Sequence, residues 1–332
     1  MEPLILIIIL ASFLCTYLIL PFWIKKAHYY GLTKKDMHKT GKRKIAEGGG
    51  IAVLSGVSLG ILLYIALNTF YFNNNSKLIY IFALLSVLLI ISIVGIVDDL
   101  FGWKKGLSRR IRIIIILFAA VPLMVINAGT STMILPFFGA INFGLLYPLL
   151  IIPIGVLGAT TTFNFLAGYN GLEASQGIII LSALALVTYI TGNAWLSVIA
   201  LSMVASLIAF YIFNKYPARI FPGNILTYST GALIATIAIL GNIEKIAVFF
   251  FIPYIIEVVL KTRGKLKKES FAKPNKDGSL EMPYKKIYGL EHLAIYILKK
   301  IKPSKKVYEK DIVYLINGFQ ILIVILGFLV IL

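Results

Sequence analysis

The sequence predicts an all-α polytopic membrane protein of about ten transmembrane helices, and three observations predict it. Hydrophobic residues make up 59% of the 332 positions, more than a soluble domain of this length needs to fill a core. They gather into runs of roughly 20 residues, the length that crosses a bilayer as a helix. The net charge is +18, yet the basic residues are confined almost entirely to the gaps between alternate runs.

In chain order the predicted spans are 3–22, 49–70, 78–97, 111–127, 145–163, 177–192, 194–213, 225–241, 245–261 and 312–332. The first has no Lys or Arg before it and no small-residue cleavage site after it, which predicts a retained span rather than a cleaved signal. It contains the one cysteine, Cys15, so no intramolecular disulfide forms. The sixth and seventh are short and closely joined, and a re-entrant pair is open as an alternative. Alternate gaps hold eight Lys/Arg (21–48), five (98–112), none (164–176), two (214–224) and fifteen (261–311). Only Lys77 and Lys245 fall in the opposite set. The positive-inside rule therefore places both termini outside and the five basic-side loops in the cytosol. This pattern fits an enzyme or a transporter equally. Nothing in the apolar majority forms a soluble nucleic-acid reading head, so the high charge predicts no nucleic-acid partner.

The outer loop 129–144 carries no charge, and its M-I-L-P-F-F-G stretch (133–139) reads as a short hairpin or surface-lying segment. The Asn-rich loop 71–77 reads as a solvated turn. The loop 261–311 is the one region large enough for soluble structure. Pro274, Asp277-Gly278 and Pro283 are turn signals. An amphipathic helix over 290–301, with Lys299, Lys300 and Lys302 close by, is expected to lie on the anionic inner leaflet. The expected organisation is one domain, 1–332, with 262–311 as an appended substrate-recognition segment.

The chemistry concentrates in four of the five inner loops. Asp98 and Asp99 end the third apolar run, where adjacent carboxylates repel and are costly to ionise beside hydrocarbon. They are either an acidic centre or the solvated end of a helix. Lys104, Lys105, Arg109, Arg110 and Arg112 follow, and acids that hold Mg²⁺ beside bases that hold phosphate suit phosphoryl transfer. The first loop runs D-M-H-K-T-G-K-R-K-I-A-E-G-G-G from Asp36, a basic cluster and glycines entering a helix, either a phosphate site or a topogenic loop. The third loop has no basic residue, so topology does not explain it. Its Asn170-Gly171 calls for a tight turn, and Asn164, Asn170 and Glu173 offer oxygen ligands and hydrogen-bond acceptors. In the fourth, Asn224 begins a span and can cap it or face the acids. His28, His38 and His292 lack metal spacing and are set aside as non-ligands.

The stretch N-F-L-A-G-Y-N-G-L-E-A-S-Q at 164–176, with K-D-M-H-K-T-G at 35–41, G-I-V-D-D at 95–99 and G-S-L-E-M-P-Y at 278–284, resembles the polyprenyl-phosphate N-acetylhexosamine-1-phosphate transferases. The resemblance runs from Pro21 to about Lys286 and is closest to the eukaryotic and archaeal dolichyl-phosphate branch. It implies ten spans around a cytosolic groove, Mg²⁺ or Mn²⁺, a UDP-activated N-acetylhexosamine and a dolichyl or other polyprenyl phosphate, with UMP released. By position it implies that Asp98 and Asp99 place the lipid phosphate, that Arg112 (or Arg110 or Lys105) holds phosphate, and that Asn170 ligates the metal. Leu172, Glu173 and Asn164 would line the uridine pocket, and Lys39 and Glu47 would belong to the nucleotide-side loop. Two departures stand out. Asn224 replaces the family's metal-binding Asp, retaining an oxygen ligand without the charge. Lys268 and Lys273 stand where an Arg/His-rich stretch meets the sugar diphosphate, without the planar Arg fork. A homodimer is compatible with the resemblance. The Ile/Lys-heavy composition and short loops point to an archaeal cell membrane, with the endoplasmic reticulum as the eukaryotic equivalent.

Overall fold

The computed structural model describes residues 2–41, 43–101, 107–135 and 139–331. The chain opens with the long helix α1 (Glu2–Tyr29) and a two-stranded hairpin of β1 (Thr33–Lys35) and β2 (Lys44–Ala46). Helices α2 (Gly50–Phe70), α3 (Leu78–Phe101), α4 (Arg109–Ala119) and α5 (Val121–Val125) follow. Strands β3 (Thr132–Leu135) and β4 (Gly139–Asn142) pair antiparallel, the hairpin expected of the uncharged loop. A π-helical turn (Tyr147–Ile151) leads into α6 (Ile152–Phe163). Then come α7 (Leu172–Ile190), α8 (Ala194–Asn214), α9 (Gly223–Gly241), α10 (Glu244–Phe250) and α11 (Ile252–Arg263). Strands β5 (Lys273–Pro274) and β6 (Leu280–Glu281) precede α12 (Leu290–Ile301) and α13 (Glu309–Ile331).

Seven of the described helices are long and apolar enough to cross a membrane: α1, α2, α3, α7, α8, α9 and α13. The other three expected spans are helical but interrupted. Residues 111–127 divide between α4 and α5 at Pro122, and 245–261 divide between α10 and α11 at Pro253. The 145–163 run begins as a π turn containing Pro148. Proline removes a helix N–H and crowds the preceding turn, so an apolar run need not be one unbroken rod. Helices α7 and α8, the closely joined pair, are each long and apolar enough to cross a membrane separately. Helix α7 begins at Leu172, because the polar L-E-A-S-Q stretch that hydropathy assigns to a loop is its first turn.

Helix α9 is the axis of the bundle. Every residue from Ile225 to Gly241 is buried, and α2, α3, α6, α7 and α10 pack around it. With neighbours on most sides it has no polar face, and its Thr227, Ser229, Thr230 and Thr236 hydroxyls are satisfied by carbonyls of their own helix three or four residues back. Close backbone approach needs small residues. A Cβ on Gly95 of α3 would lie 2.6 Å from the Ile225 Cα. Gly56 and Gly60 of α2 sit against Ser12 and Thr16 of α1 in the same way. Helix α12 forms where the amphipathic pattern placed it. Leu290, Ala294 and Ile295 are buried and it packs on α11 and α13, while Tyr296 and Ile301 stay exposed.

Candidate active site

The loops predicted to share one side of the membrane meet at one end of the bundle, tied together by hydrogen bonds. Ala46 bridges Ile220, and the Phe221 N–H donates to the Ala46 carbonyl at 2.8 Å. Gly49 and Gly50 N–H donate to the Phe221 and Pro222 carbonyls at 3.0 and 2.9 Å. This zipper fixes Glu47 relative to Gly223-Asn224. Asn214, at the end of α8, accepts from Gly171 N–H through Oδ1 (3.1 Å) and donates to the Ile220 carbonyl through Nδ2 (2.8 Å). The Asn170-Gly171 turn is thereby registered on the same segment, with Gly171 at φ +88°, a left-handed conformation that glycine adopts without strain.

Asp98 and Asp99 occupy the last turn of α3, the end where a helix's own partial charge is negative and disfavours acids. The neighbour resolves the conflict. Asp99 accepts from the Asn224 and Ile225 N–H groups at 2.9 and 3.3 Å, the positive start of α9. A side chain on Gly223 would collide with that carboxylate. Asp98 is buried and ion-paired to Arg112 at 2.8 Å. It also accepts from Leu107 N–H (2.9 Å), the Tyr228 hydroxyl (3.2 Å) and Asn224 Nδ2 (3.5 Å). Among the described residues, three of those contacts fall on Asp98 Oδ2, whereas each Asp99 oxygen receives one, so Asp99 retains acceptor capacity. Adjacent acids thus divide the work: Asp98 anchors Arg112, and Asp99 remains open. Among the described residues Arg112 Nε is buried with no hydrogen-bond partner.

These groups line a cavity of about 1120 Å³ that also includes Glu47, Asn164, Asn170, Glu173 and Asn224. Hydrogen bonds orient its amides. Asn170 Nδ2 donates to Asp36 Oδ2 (3.3 Å) and Asn224 Nδ2 to Asp98, so each presents its oxygen as the free end. Asn164 Oδ1 instead accepts from Thr227 Oγ1 (2.9 Å). Glu47 Oε1 meets Lys34 at 2.9 Å, while its Oε2 is buried without a hydrogen-bond partner among the described residues. Burial pushes the Glu47 carboxyl up from its ordinary range, and Lys34 pulls it back only in part. Glu173 Oε1 accepts from Gly168 N–H (2.8 Å), and its Oε2 likewise has no hydrogen-bond partner among the described residues. The amide oxygens of Asn170 and Asn224 and the spare acceptor sites of Asp99 are hard oxygen donors of the kind that Mg²⁺ or Mn²⁺ takes.

A second group lies beside the Asn-Gly turn. Asp36, His38 and Glu309 bring three ligand atoms within 4.8 Å of one another, all buried, and could hold a metal ion. Spacing in sequence set His38 aside, and only the fold brings Glu309 to it. The group already contains a cation. Lys39 Nζ lies 3.0 Å from Glu309 Oε2 and 3.6 Å from Asp36 Oδ2. Burial alone would lower the Lys39 ammonium, but Glu309 and Asp36 outweigh it, and the group is raised and stays charged. His38 Nε2 accepts from Ala272 N–H (3.2 Å), its Nδ1 faces Glu309 (3.6 Å), and its ring stacks on Tyr169. Glu309 Oε1 accepts from Asn170 N–H at 2.7 Å. The arrangement holds the Asn-Gly turn from behind. Glu309→Gln is expected to reduce activity about tenfold, since loss of such a supporting partner costs 10- to 100-fold. The half-saturating metal concentration should rise while the KM for the nucleotide donor stays near wild type. Steady-state kinetics at graded metal concentrations check this.

Of the residues singled out in the sequence, Glu47, Asp98, Asp99, Arg112, Asn164, Asn170, Glu173 and Asn224 meet on the one cavity. Four others do not line it. Lys39 turns to Glu309 and lies over the Tyr216 ring. Leu172 is fully buried in the core. Lys268 places its ammonium over Tyr284 at 4.8 Å, and Lys273 is an exposed residue of β5. Arg110 is exposed and outside the lining; Lys104 and Lys105 lie outside the described residues. Sequence reasoning missed Lys34, Tyr228, Lys261 and Glu309. Glu309 begins the last span 139 residues after Asn170, and its one local signal is an acid at a helix start.

The profile of glycosyl transferase family 4 matches residues 81–242. That stretch runs from α3 through α9 and includes the acid pair, the Asn-Gly turn and Asn224. A Saccharolobus solfataricus protein provisionally named UDP-N-acetylglucosamine–dolichyl-phosphate N-acetylglucosaminephosphotransferase is 38% identical over 88% of both chains. The chain belongs to this family. Its members include the Dictyostelium discoideum enzyme named for the same transfer, 27% identical over 73% of this chain and 68% of the relative. A phospho-N-acetylmuramoyl-pentapeptide-transferase of Streptococcus thermophilus is 26% identical over 74% of this chain and 75% of its own. The family member described here is thus an integral membrane transferase whose acids, amides and arginine converge on one cavity.

Proposed function

We propose that the chain transfers N-acetylglucosamine-1-phosphate from UDP-N-acetylglucosamine to a dolichyl or other polyprenyl phosphate and releases UMP, a first membrane step of lipid-linked oligosaccharide synthesis for N-glycosylation. The observation that carries this reading is the convergence of Asp98, Asp99, Arg112, Asn170 and Asn224 on one cavity in a chain with such relatives. The interrupted helices α4–α5, π-turn–α6 and α10–α11 complete ten spans with both termini outside, so the cavity opens to the cytosol. The membrane is an archaeal cell membrane.

An oxygen of the lipid phosphate attacks the phosphorus that bears the sugar. The new P–O bond forms as the bond from that phosphorus to the bridging oxygen breaks, and the electron pair leaves with UMP. Ile96, Leu100 and Leu107 give the Asp98–Arg112 end an apolar wall, suited to the lipid. There the unpartnered Arg112 Nε donates to the lipid phosphate, and Asp99 accepts any proton that phosphate still carries. At the other end the free Glu173 oxygen accepts from a uracil N–H or ribose hydroxyl, with Asn164 beside it. The segment 262–311 serves recognition by supplying Glu269, Ser270 and Phe271 to the wall. Mg²⁺, held by the Asn170 and Asn224 amide oxygens with Asp99, would neutralise developing phosphoryl charge. Purified protein with radiolabelled UDP-N-acetylglucosamine, dolichyl phosphate and Mg²⁺ is expected to yield labelled lipid and equimolar UMP. Absence of both products, with properly folded protein, would overturn the reading and favour a transporter or a silent relative.

A further inference from the structure

We propose that Lys261 holds the diphosphate of the nucleotide-sugar donor, in the role that the sequence assigns to Lys268 and Lys273. The inference rests on the transferase reading above and adds a binding residue to it. Lys261 stands in the last turn of α11 and lines the cavity beside Glu269, Ser270 and Phe271, whereas Lys268 and Lys273 do not. Its side chain is only 12% exposed, so it reaches the cavity from within the protein rather than waving in solvent.

The ammonium is fixed from below. Glu257, one turn earlier and fully buried, faces it at 3.4 Å, and Ser270 Oγ takes a second contact. The other Glu257 oxygen accepts from Leu290 N–H at 2.6 Å, which locks the carboxylate. A lysine has three N–H donors, and its partners among the described residues leave at least one for a ligand in the cavity that it borders. Holding the amine in place reduces the ordering cost of binding. A second acid, Glu291, is buried nearby, and a Cβ on Gly289 would touch both Glu291 Oε2 (2.6 Å) and Glu257 Oε1 (3.1 Å). Burial raises the Glu291 carboxyl well above the usual range.

The neighbourhood indicates which phosphate is met. Phe271 packs against Gly168, the residue whose N–H orients Glu173. This is the part of the cavity assigned above to the nucleotide of the donor.

The test compares wild type, Lys261→Ala, and Lys261→Ala with Glu257→Gln, the last avoiding an unpaired buried carboxylate. Inhibition constants for UDP and for uridine, and the KM for UDP-N-acetylglucosamine, are measured on purified protein verified as folded by size-exclusion chromatography. Both variants are expected to raise the UDP constant and the donor KM about tenfold or more, with the uridine constant unchanged because uridine has no phosphate. Wild-type-like UDP affinity in the folded double variant would overturn the proposal. Equal loss of uridine affinity would overturn it too, since the effect would then be a general distortion. If wild type neither binds UDP nor releases UMP, the transferase reading fails first and takes this proposal with it.

Discussion

Asp99→Asn is expected to lower turnover by about a thousandfold, within the range that a positioned acid–base group contributes, while the protein still folds. The geometry gives both halves of this result. Asp99 is the acid of the pair with acceptor sites to spare, since each oxygen receives a single N–H from the start of α9. An asparagine oxygen can keep one of those bonds, so the helix start should lose about 1 kcal/mol, the usual scale for a weakened cap. Asp98 is not the equivalent experiment, because removing it also strands Arg112 without its 2.8 Å partner. The measurement is single-turnover transfer alongside thermal stability in the same detergent. A rate within tenfold of wild type would reduce Asp99 to a cap for α9 and remove it from the chemistry.

Asn224→Asp is expected to lower the half-saturating Mg²⁺ concentration about tenfold, an improvement of about 1.4 kcal/mol. The substitution converts a free amide oxygen into a charged one. Two unit charges 4 Å apart interact by about 4 kcal/mol at the effective dielectric of a protein surface. Part of that gain is cancelled because the new carboxylate also faces Asp98, whose oxygen lies 3.5 Å from the present amide nitrogen. The same repulsion should destabilise the metal-free protein, so the thermal shift on adding Mg²⁺ should grow. Titration of activity and melting temperature against Mg²⁺ decides the point. An unchanged requirement with an unchanged shift would place Asn224 outside the metal's surroundings.

Much of this molecule follows from composition and local pattern. Apolar runs and the segregation of Lys and Arg are set by the chain's free energy in a bilayer, a property of each segment by itself, and that is why they are readable without a fold. The Asn-Gly turn and the 290–301 amphipathic helix are similarly local, and both formed where the pattern put them. Hydropathy misjudged what neighbours decide. The three proline-containing runs are broken helices, and the polar start of α7 is helical because its Glu173, Ser175 and Gln176 are buried among partners. The basic residues were the least legible part. Lys39, Lys268 and Lys261 are alike in sequence, but one pairs with Glu309, one lies over an aromatic ring and one borders the cavity. A long flexible cation goes wherever an acid or an opening is offered, and only the tertiary structure fixes where those are. The residue types and the helical character of the apolar runs were determined by the sequence alone. The pairing of Asp99 with α9, of Asp98 with Arg112 and of Glu309 with Asn170 was decided by packing, because each joins groups at opposite ends of separate helices or loops.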